Sequence, residues 1–250
     1  MKPNHQFKTS LLFTAFLFLA YLAHGQSDGD PKLTEVWEPE PTVVTPGDGT
    51  APPSDAIVLF DGTNFDEWKG ADGGEVKWVL ADGAMTVKPK SGMITTKKVF
   101  GDVQLHIEWR SPKIVEGKSQ GRGNSGIFLQ GLYELQVLDS YQNRTYSNGQ
   151  AGSIYKQHIP LVNVCRGPGE WQTYDIIYQA PLFKADGSLG RPARITVIHN
   201  GVLIQNNVEL EGPTKYIGKA KYKAHAEKLS LGLQDHSNPV SYRNIWIREL

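Results

Sequence analysis

The chain has 250 residues, 26 basic and 26 acidic, with one cysteine and 26 glycines. This charge balance lacks the excess of basic residues that neutralises phosphates, so it argues against nucleic acid, and it shows no basic patch for a membrane surface. The lone Cys165 cannot close an intrachain disulfide, so the fold must rest on its core, where a small buried hydrophobe is the simpler role for it than a nucleophile.

Residues 1–25 read as a secretory signal peptide. Lys2 and Lys8 give a positive start, Leu11 to Ala23 is apolar, and Ala23-His24-Gly25 is a small-x-small site before Gln26. The pattern predicts a secreted, periplasmic protein. The apolar run is too short to span a bilayer comfortably, and no later segment is apolar enough. No cysteine follows it to carry a lipid. Without Lys2 and Lys8 the balance is 24 basic against 26 acidic residues, a net of −2. Residues 26–55 are rich in Pro, Gly and acids around Trp37, and read as a linker or a strap.

From residue 56 to 250 the pattern is short strands and turns. Ile57 to Phe60 ends at Asp61-Gly62. Asp82-Gly83 separates two strands in a hairpin pattern, and Asn200-Gly201 suits a type I′ turn. Val103, Leu105, Ile107 and Trp109 alternate with polar residues, as do Leu229, Leu231 and Leu233. Ile245 to Ile247 closes the domain. Gly218 to Lys228 is the one helical candidate, and a solvated loop explains it equally. Trp78, Trp109 and Trp171 sit in strand-like contexts and are assigned to the core. Many strands with almost no helix predict an all-β fold, a two-sheet antiparallel jelly-roll sandwich.

Four stretches carry candidate chemistry. In Tyr133-Glu134-Leu135-Gln136-Val137-Leu138-Asp139, alternation places Glu134 and Gln136 on one face, and a β-bulge at Val137-Leu138 would return Asp139 to it. Two carboxylates and an amide on one surface suit sugar chemistry; a strand with a wet face is the plainer reading. Gly121 to Gly126 matches G-x-G-x-x-G, but a strand follows where a dinucleotide site needs a helix, so it is a tight turn or a ligand loop carrying Arg122 and Asn124. Gln234 and His236 share a face with Ser230 and Gly232, where small residues leave room for a ligand. An imidazole there could exchange protons near neutral pH, or be tied into a turn with Asp235 and Asn238. Tyr155-Lys156-Gln157-His158 offers phenol, amine and imidazole, or a solvated loop. Asn143-Arg144-Thr145 is a glycosylation sequon, relevant only in a eukaryotic secretory path. No metal-ligand spacing stands out.

Together these residues resemble the 3-keto-disaccharide hydrolase family. The resemblance runs from Ala56 to Leu250, through Leu59-Phe60-Asp61-Gly62, Gly123 to Ile127, Tyr133 to Asp139, Gly169 to Ile176, His199-Asn200-Gly201-Val202 and Leu233 to Ile245. It implies a concanavalin-like, laminarinase-like jelly roll acting on glycosides whose sugar carries a ketone at carbon 3. The laminarinase signature E-x-D-x-x-E has Gln136 and Asp139 where acids of full length are usual, which departs from a retaining double displacement. A 3-ketone acidifies the proton on carbon 2, so β-elimination and hydration can replace it. On that reading Glu134 and His236 move protons at carbon 2 and at the leaving oxygen. Asp139 holds a hydroxyl, orients His236 or binds a divalent cation. No cofactor is demanded; a divalent cation would polarise the ketone and 2-hydroxyl. Arg122, Asn124, Gln136, Tyr155, Lys156 and Gln234 bind the sugar or the enolate. The substrate, an oxidised saccharide or glycoside, implies a glycoside 3-oxidoreductase upstream. The alternatives are a laminarinase-type glycoside hydrolase and a non-catalytic carbohydrate-binding module.

Overall fold

A computed structural model of the chain describes residues 29–250. The expected signal peptide lies outside the described residues. The chain divides into two units, Met1–Val43 and Val44–Leu250. In the described part of the first, Asp30 caps a single 3-10 turn at Pro31–Thr34 by accepting from the Lys32 amide.

The second unit is built from fifteen strands. They are β1 (Ile57–Phe60), β2 (Trp68–Lys69), β3 (Val79–Ala81), β4 (Ala84–Thr86) and β5 (Ile94–Thr96). Then come β6 (Val103–Arg110), β7 (Ser125–Leu129), β8 (Tyr133–Val137), β9 (Gln172–Gln179) and β10 (Leu182–Phe183). The last are β11 (Leu189–Arg191), β12 (Arg194–His199), β13 (Val202–Glu209), β14 (Gly232–Leu233) and β15 (Ser241–Glu249). The turns follow their residues. Asp82 and Gly83 take φ of 52° and 68°, and Asn200 and Gly201 take 51° and 81°. Two left-handed residues in succession are what a two-residue hairpin requires, and Asn, Asp and Gly tolerate them best.

The strands form two antiparallel sheets and a small β10–β11 hairpin. The larger sheet has eight strands in the order β13-β12-β9-β6-β15-β4-β3, with β1 also paired to β15. The smaller has the order β2-β5-β14-β7-β8. The expected all-β jelly-roll sandwich is the fold. Residues 44–55 belong to the unit that carries the sheets: the Thr50 hydroxyl donates to Glu108 Oε1 at 3.1 Å, and its carbonyl accepts from Trp246 Nε1 at 3.0 Å.

The core lies between the sheets. Trp109, Tyr174, Tyr178 and Tyr242 of the larger sheet are wholly buried, and the three phenols reach the smaller sheet or the turn between its strands β7 and β8. Tyr174 donates to the Gln136 carbonyl at 3.0 Å, Tyr178 to Gln130 Oε1 at 3.0 Å, and Tyr242 to Ser125 Oγ at 2.7 Å. A buried phenol needs a partner. By finding theirs across the sandwich, these three fix β7 and β8 from below.

Three expectations are corrected here. Trp171 is not in the core: it lies between the guanidinium groups of Arg110 and Arg243, 4.6 and 4.1 Å from its ring, a cation–π stack at the surface. The strand expected over Leu229–Leu233 is only Gly232–Leu233, with Leu229 in a single bridge to Phe100. Gly218 to Lys228 is irregular rather than helical.

Candidate active site

The outer face of the smaller sheet carries the candidate site. Tyr133, Leu135 and Val137 of β8 point into the core, so strict alternation turns Glu134 and Gln136 outward. On β7, Ile127 and Leu129 point inward, and Gly126 and Phe128 lie opposite Gln136 and Glu134. β8 is the sheet's edge, and loops satisfy its backbone. Glu134 N–H donates to Thr214 Oγ1 at 2.9 Å, Gln136 N–H donates to the Ser153 carbonyl at 3.0 Å, and the Tyr155 N–H donates to the Glu134 carbonyl at 3.2 Å. These loops also raise the walls of a cavity of about 740 Å³, within the size range of small-molecule sites.

Glu134 stands in this cavity, 5 % exposed. Burial pushes its carboxyl up to about 8, with no hydrogen bond or cation to oppose it. Gly126 makes room for it: a Cβ there would lie 2.6 Å from Glu134 Oε1 and 2.9 Å from Phe128 Cε2. Gln136 Nε2 donates to Gln120 Oε1 at 3.2 Å and Asn124 Oδ1 at 3.3 Å, while its own Oε1 is buried with no partner. Gln234 Oε1, in the same cavity, is also buried and unpaired. Buried acceptors are normally satisfied, so two without a partner on residues of one cavity wall are unusual. Asn124 is anchored by its Nδ2 to the Gln120 carbonyl at 2.6 Å and by its N–H to Asn238 Oδ1 at 2.7 Å.

His236 lines the same cavity from the turn after β14 and is exposed at its lip. The turn is held by Asp235, which accepts from the Ser237 N–H at 2.8 Å and the Gly92 N–H at 2.9 Å. The imidazole itself forms no hydrogen bond among the described residues. Tyr155 and Tyr146 share a hydroxyl–hydroxyl contact of 2.6 Å in the wall. Burial, and then Tyr146 beside it, raise the Tyr155 phenol; burial raises Tyr146. Both stay neutral donors.

Other expected site residues lie elsewhere. Asp139 does not join Glu134. Val137 and Leu138 both enter the core, which breaks the alternation, and Asp139 emerges in a second cavity of about 390 Å³. There Arg122 Nε donates to its carboxylate at 2.7 Å and Nη2 to the Tyr141 carbonyl at 3.0 Å. Arg122 also lines this second cavity rather than the first. A guanidinium this close to Asp139 competes with any cation, and among the described residues no three His, Cys, Asp or Glu side chains gather as a metal cluster. Lys156 sits behind the wall, its ammonium donating to the Tyr216 carbonyl at 2.6 Å and lying 4.2 Å from the Tyr216 ring. Asn143 of the sequon is 8 % exposed, and its Nδ2 donates to the carbonyls of Ser119 and Asp139, so it is not free to carry a glycan.

Gln120, Phe128, Tyr146, Thr214 and Tyr216 complete the first cavity and were not singled out from the sequence. Phe128 alone carried a local signal, its place in the alternating strand opposite Glu134.

Comparison with known proteins gives this jelly roll its class, an enzyme acting on glycosides. Within it the chain belongs to the 3-keto-alpha-glucoside-1,2-lyase-like family, whose model matches residues 55–248. It is 26 % identical over 243 residues to a 3-keto-disaccharide hydrolase of Bacteroides thetaiotaomicron, covering 78 % of each chain. A solved candidate glycosyl hydrolase from Parabacteroides distasonis is 52 % identical, with a TM-score of 0.86 over 90 % of this chain and 99 % of that one. A second from the same organism shares the fold at 21 % identity, with a TM-score of 0.57 over 78 % and 94 %.

Proposed function

We propose that this chain is an exported enzyme that cleaves 3-keto-glycosides by elimination and hydration. The observation that carries the reading is the pairing inside the first cavity: one buried carboxylate, Glu134, and one imidazole, His236, with no second carboxylate among the lining residues. Double displacement at an unoxidised sugar uses two carboxyl groups about 5–5.5 Å apart. Proton transfer beside a ketone needs one base and one acid.

Glu134 takes the proton from carbon 2, and the electron pair forms an enolate on the carbon-3 oxygen. A carboxylate whose conjugate acid holds its proton to about 8 is a stronger base than an ordinary one. As the ketone re-forms, a double bond forms between carbons 1 and 2 and the bond from carbon 1 to the leaving oxygen breaks. His236 gives that oxygen its proton at the cavity lip. Water then adds to carbon 1 of the enone and a proton returns to carbon 2, giving the free keto sugar. One hydroxyl hydrogen of the Tyr146–Tyr155 pair remains to bond the enolate oxygen. Gln136 Oε1 and Gln234 Oε1 accept from sugar hydroxyls. The substrate ketone comes from an oxidation at carbon 3, so an oxidoreductase acts before this enzyme.

Glu134→Gln should lower kcat on a 3-keto-glycoside by about 10²–10⁴-fold, measured beside the unoxidised parent glycoside. Equal turnover of the parent glycoside would overturn the reading in favour of an ordinary hydrolase. Binding without turnover of either would make the protein a binding module. With Glu134 as base and His236 as acid, kcat/KM should follow a bell against pH, and Glu134→Gln should remove its limb near 8. A limb near 8 that survives Glu134→Gln would take Glu134 out of the proton transfers.

A further inference from the structure

The second cavity adjoins the first along one short wall. Gly121 and Asn124 line the first, and Arg122 and Gly123 between them line the second. His236 faces the first, and its neighbour Ser237 faces the second. The Asn124 N–H to Asn238 Oδ1 bond of 2.7 Å ties the two sides of this wall together. A group leaving carbon 1 after protonation by His236 therefore departs beside the second cavity.

The two cavities differ in chemistry. The first is lined by Phe128, Tyr146, Tyr155 and Tyr216, the second by no aromatic ring. The apolar surface of the second is aliphatic: Ile114 is 77 % exposed and Val115 48 % on the loop that rims it. The two side chains give the cavity an aliphatic rim that an apolar occupant could meet. The charged lining residues cancel, Lys113 and Arg122 against Glu116 and Asp139, so an ionised occupant gains nothing by net attraction. Arg122 spends Nε on Asp139 and Nη2 on the Tyr141 carbonyl, and Nη1 makes no hydrogen bond among the described residues. The aliphatic rim and the free Nη1 together suit an uncharged group with an apolar body and a polar atom. The volume of about 390 Å³ is ample for one aromatic ring.

We infer that the second cavity is the leaving-group subsite and that it selects an uncharged, hydrophobic aglycone such as a phenol over a second sugar. The inference rests on the proposed reaction for its orientation, with the sugar in the first cavity. Ile114 and Val115 are then specificity-determining residues, and Arg122 donates to the aglycone's polar atom.

The test uses the full chain and the double variant Ile114→Ser/Val115→Ser, whose exposed positions leave folding intact. p-Cresol is titrated by calorimetry, with benzoate and glucose as controls. p-Cresol should bind the wild type more tightly than either control and lose at least fivefold in affinity in the variant, while glucose binding stays unchanged. In kinetics, kcat/KM for phenyl 3-keto-glucoside should fall about tenfold while that for methyl 3-keto-glucoside holds. No p-cresol binding, equal binding to both proteins, or an equal fall with both glucosides would overturn the subsite. If neither keto-glucoside is turned over by the wild type but p-cresol binding still depends on Ile114 and Val115, the reaction is wrong and the aryl site stands.

Discussion

Both sheets carry a buried glutamate and a histidine on their outer faces, and the two pairs behave in opposite ways. On the larger sheet, Glu108 accepts from Arg243 Nε at 2.6 Å, Asn244 Nδ2 at 3.0 Å and the Thr50 hydroxyl at 3.1 Å. Beside it, His106 Nδ1 lies 2.6 Å from Asp175 and its ring stacks on Trp246. Burial alone would push Glu108 up, but the bonds from Asn244, Arg243 and Thr50, with the charge of Arg243, overcome it and hold its carboxyl below the usual range. On the smaller sheet, Glu134 is equally closed to solvent at its surface but more heavily desolvated, has no such donor, and rises to about 8. One glutamate has its partners supplied, and in the other burial acts unopposed. An unsatisfied group in a cavity marks a site more reliably than a cluster of titratable residues does.

The sharpest way to break this contrast is to remove each acid in turn. Glu134→Gln should lose about 10²–10⁴-fold in kcat, whereas Glu108→Gln should retain wild-type kcat and KM on the same 3-keto-glycoside. Loss of activity in both would make the two faces equivalent and the contrast empty. Stability should respond with opposite sign. The folded pKa of Glu134 lies above its unfolded one, so the stability linked to its protonation is fully present below about pH 4.5 and is lost as pH rises toward 8. Glu134→Gln should therefore gain on the wild type by up to about 1.4 kcal/mol per pH unit across that window, and the gain should level off above pH 8. Glu108 has a lowered folded pKa, so its stabilisation is present above the unfolded pKa and is lost only as pH falls through the acid range. Denaturant melts of both variants from about pH 2 to pH 9 read the two slopes, that of Glu108 in the acid part of the range and that of Glu134 in the upper part.

How much of this contrast could be read beforehand depended on distance along the chain. The period-two alternation of Tyr133 to Val137 fixed Glu134 and Gln136 on one face, and the small residue Gly232 beside Gln234 announced open space. Alternation could not say where Asp139 would face once Val137 and Leu138 both turned inward, because the wall made by Arg122 to Asn124 comes from another segment. Tyr146 and Tyr216 reach the cavity from loops whose local sequence carries no periodicity. Trp171 misled because a strand-like flank says nothing of Arg110 and Arg243, which arrive from two other strands. Nor does any spacing show that Glu108 is satisfied, since its donors Thr50 and Asn244 are 58 and 136 residues away.

Gly126→Ala probes the space rather than the charge. The added methyl would meet Glu134 Oε1 at 2.6 Å and Phe128 Cε2 at 2.9 Å, so the carboxylate must swing aside. The backbone needs no unusual conformation there, and the cost to stability is about 1–3 kcal/mol of overpacking. A carboxylate displaced by about 1 Å loses on the order of 10²-fold in rate. kcat should fall while binding of the sugar through Gln136 and Gln234 persists. Unchanged kcat would show that the position of Glu134 is not set from beneath.

The smallest effect is expected at Thr50, and it tests the other side of the contrast. Thr50→Val removes the hydroxyl that donates to Glu108 Oε1 at 3.1 Å and accepts from Asn244 Nδ2 at 3.1 Å, and keeps both the side-chain shape and the carbonyl that accepts from Trp246 and Asn244. The loss should be about 1–2 kcal/mol, the usual worth of one or two hydrogen bonds, because Asn244 and Arg243 still satisfy the carboxylate. Removing one of several donors leaves a satisfied group satisfied, so kcat, KM and the pH–rate limb should all stay at wild-type values. A Thr50→Val variant that shifted that limb would mean that the larger sheet's network reaches Glu134 through the sandwich, and the two faces would then be one device rather than two.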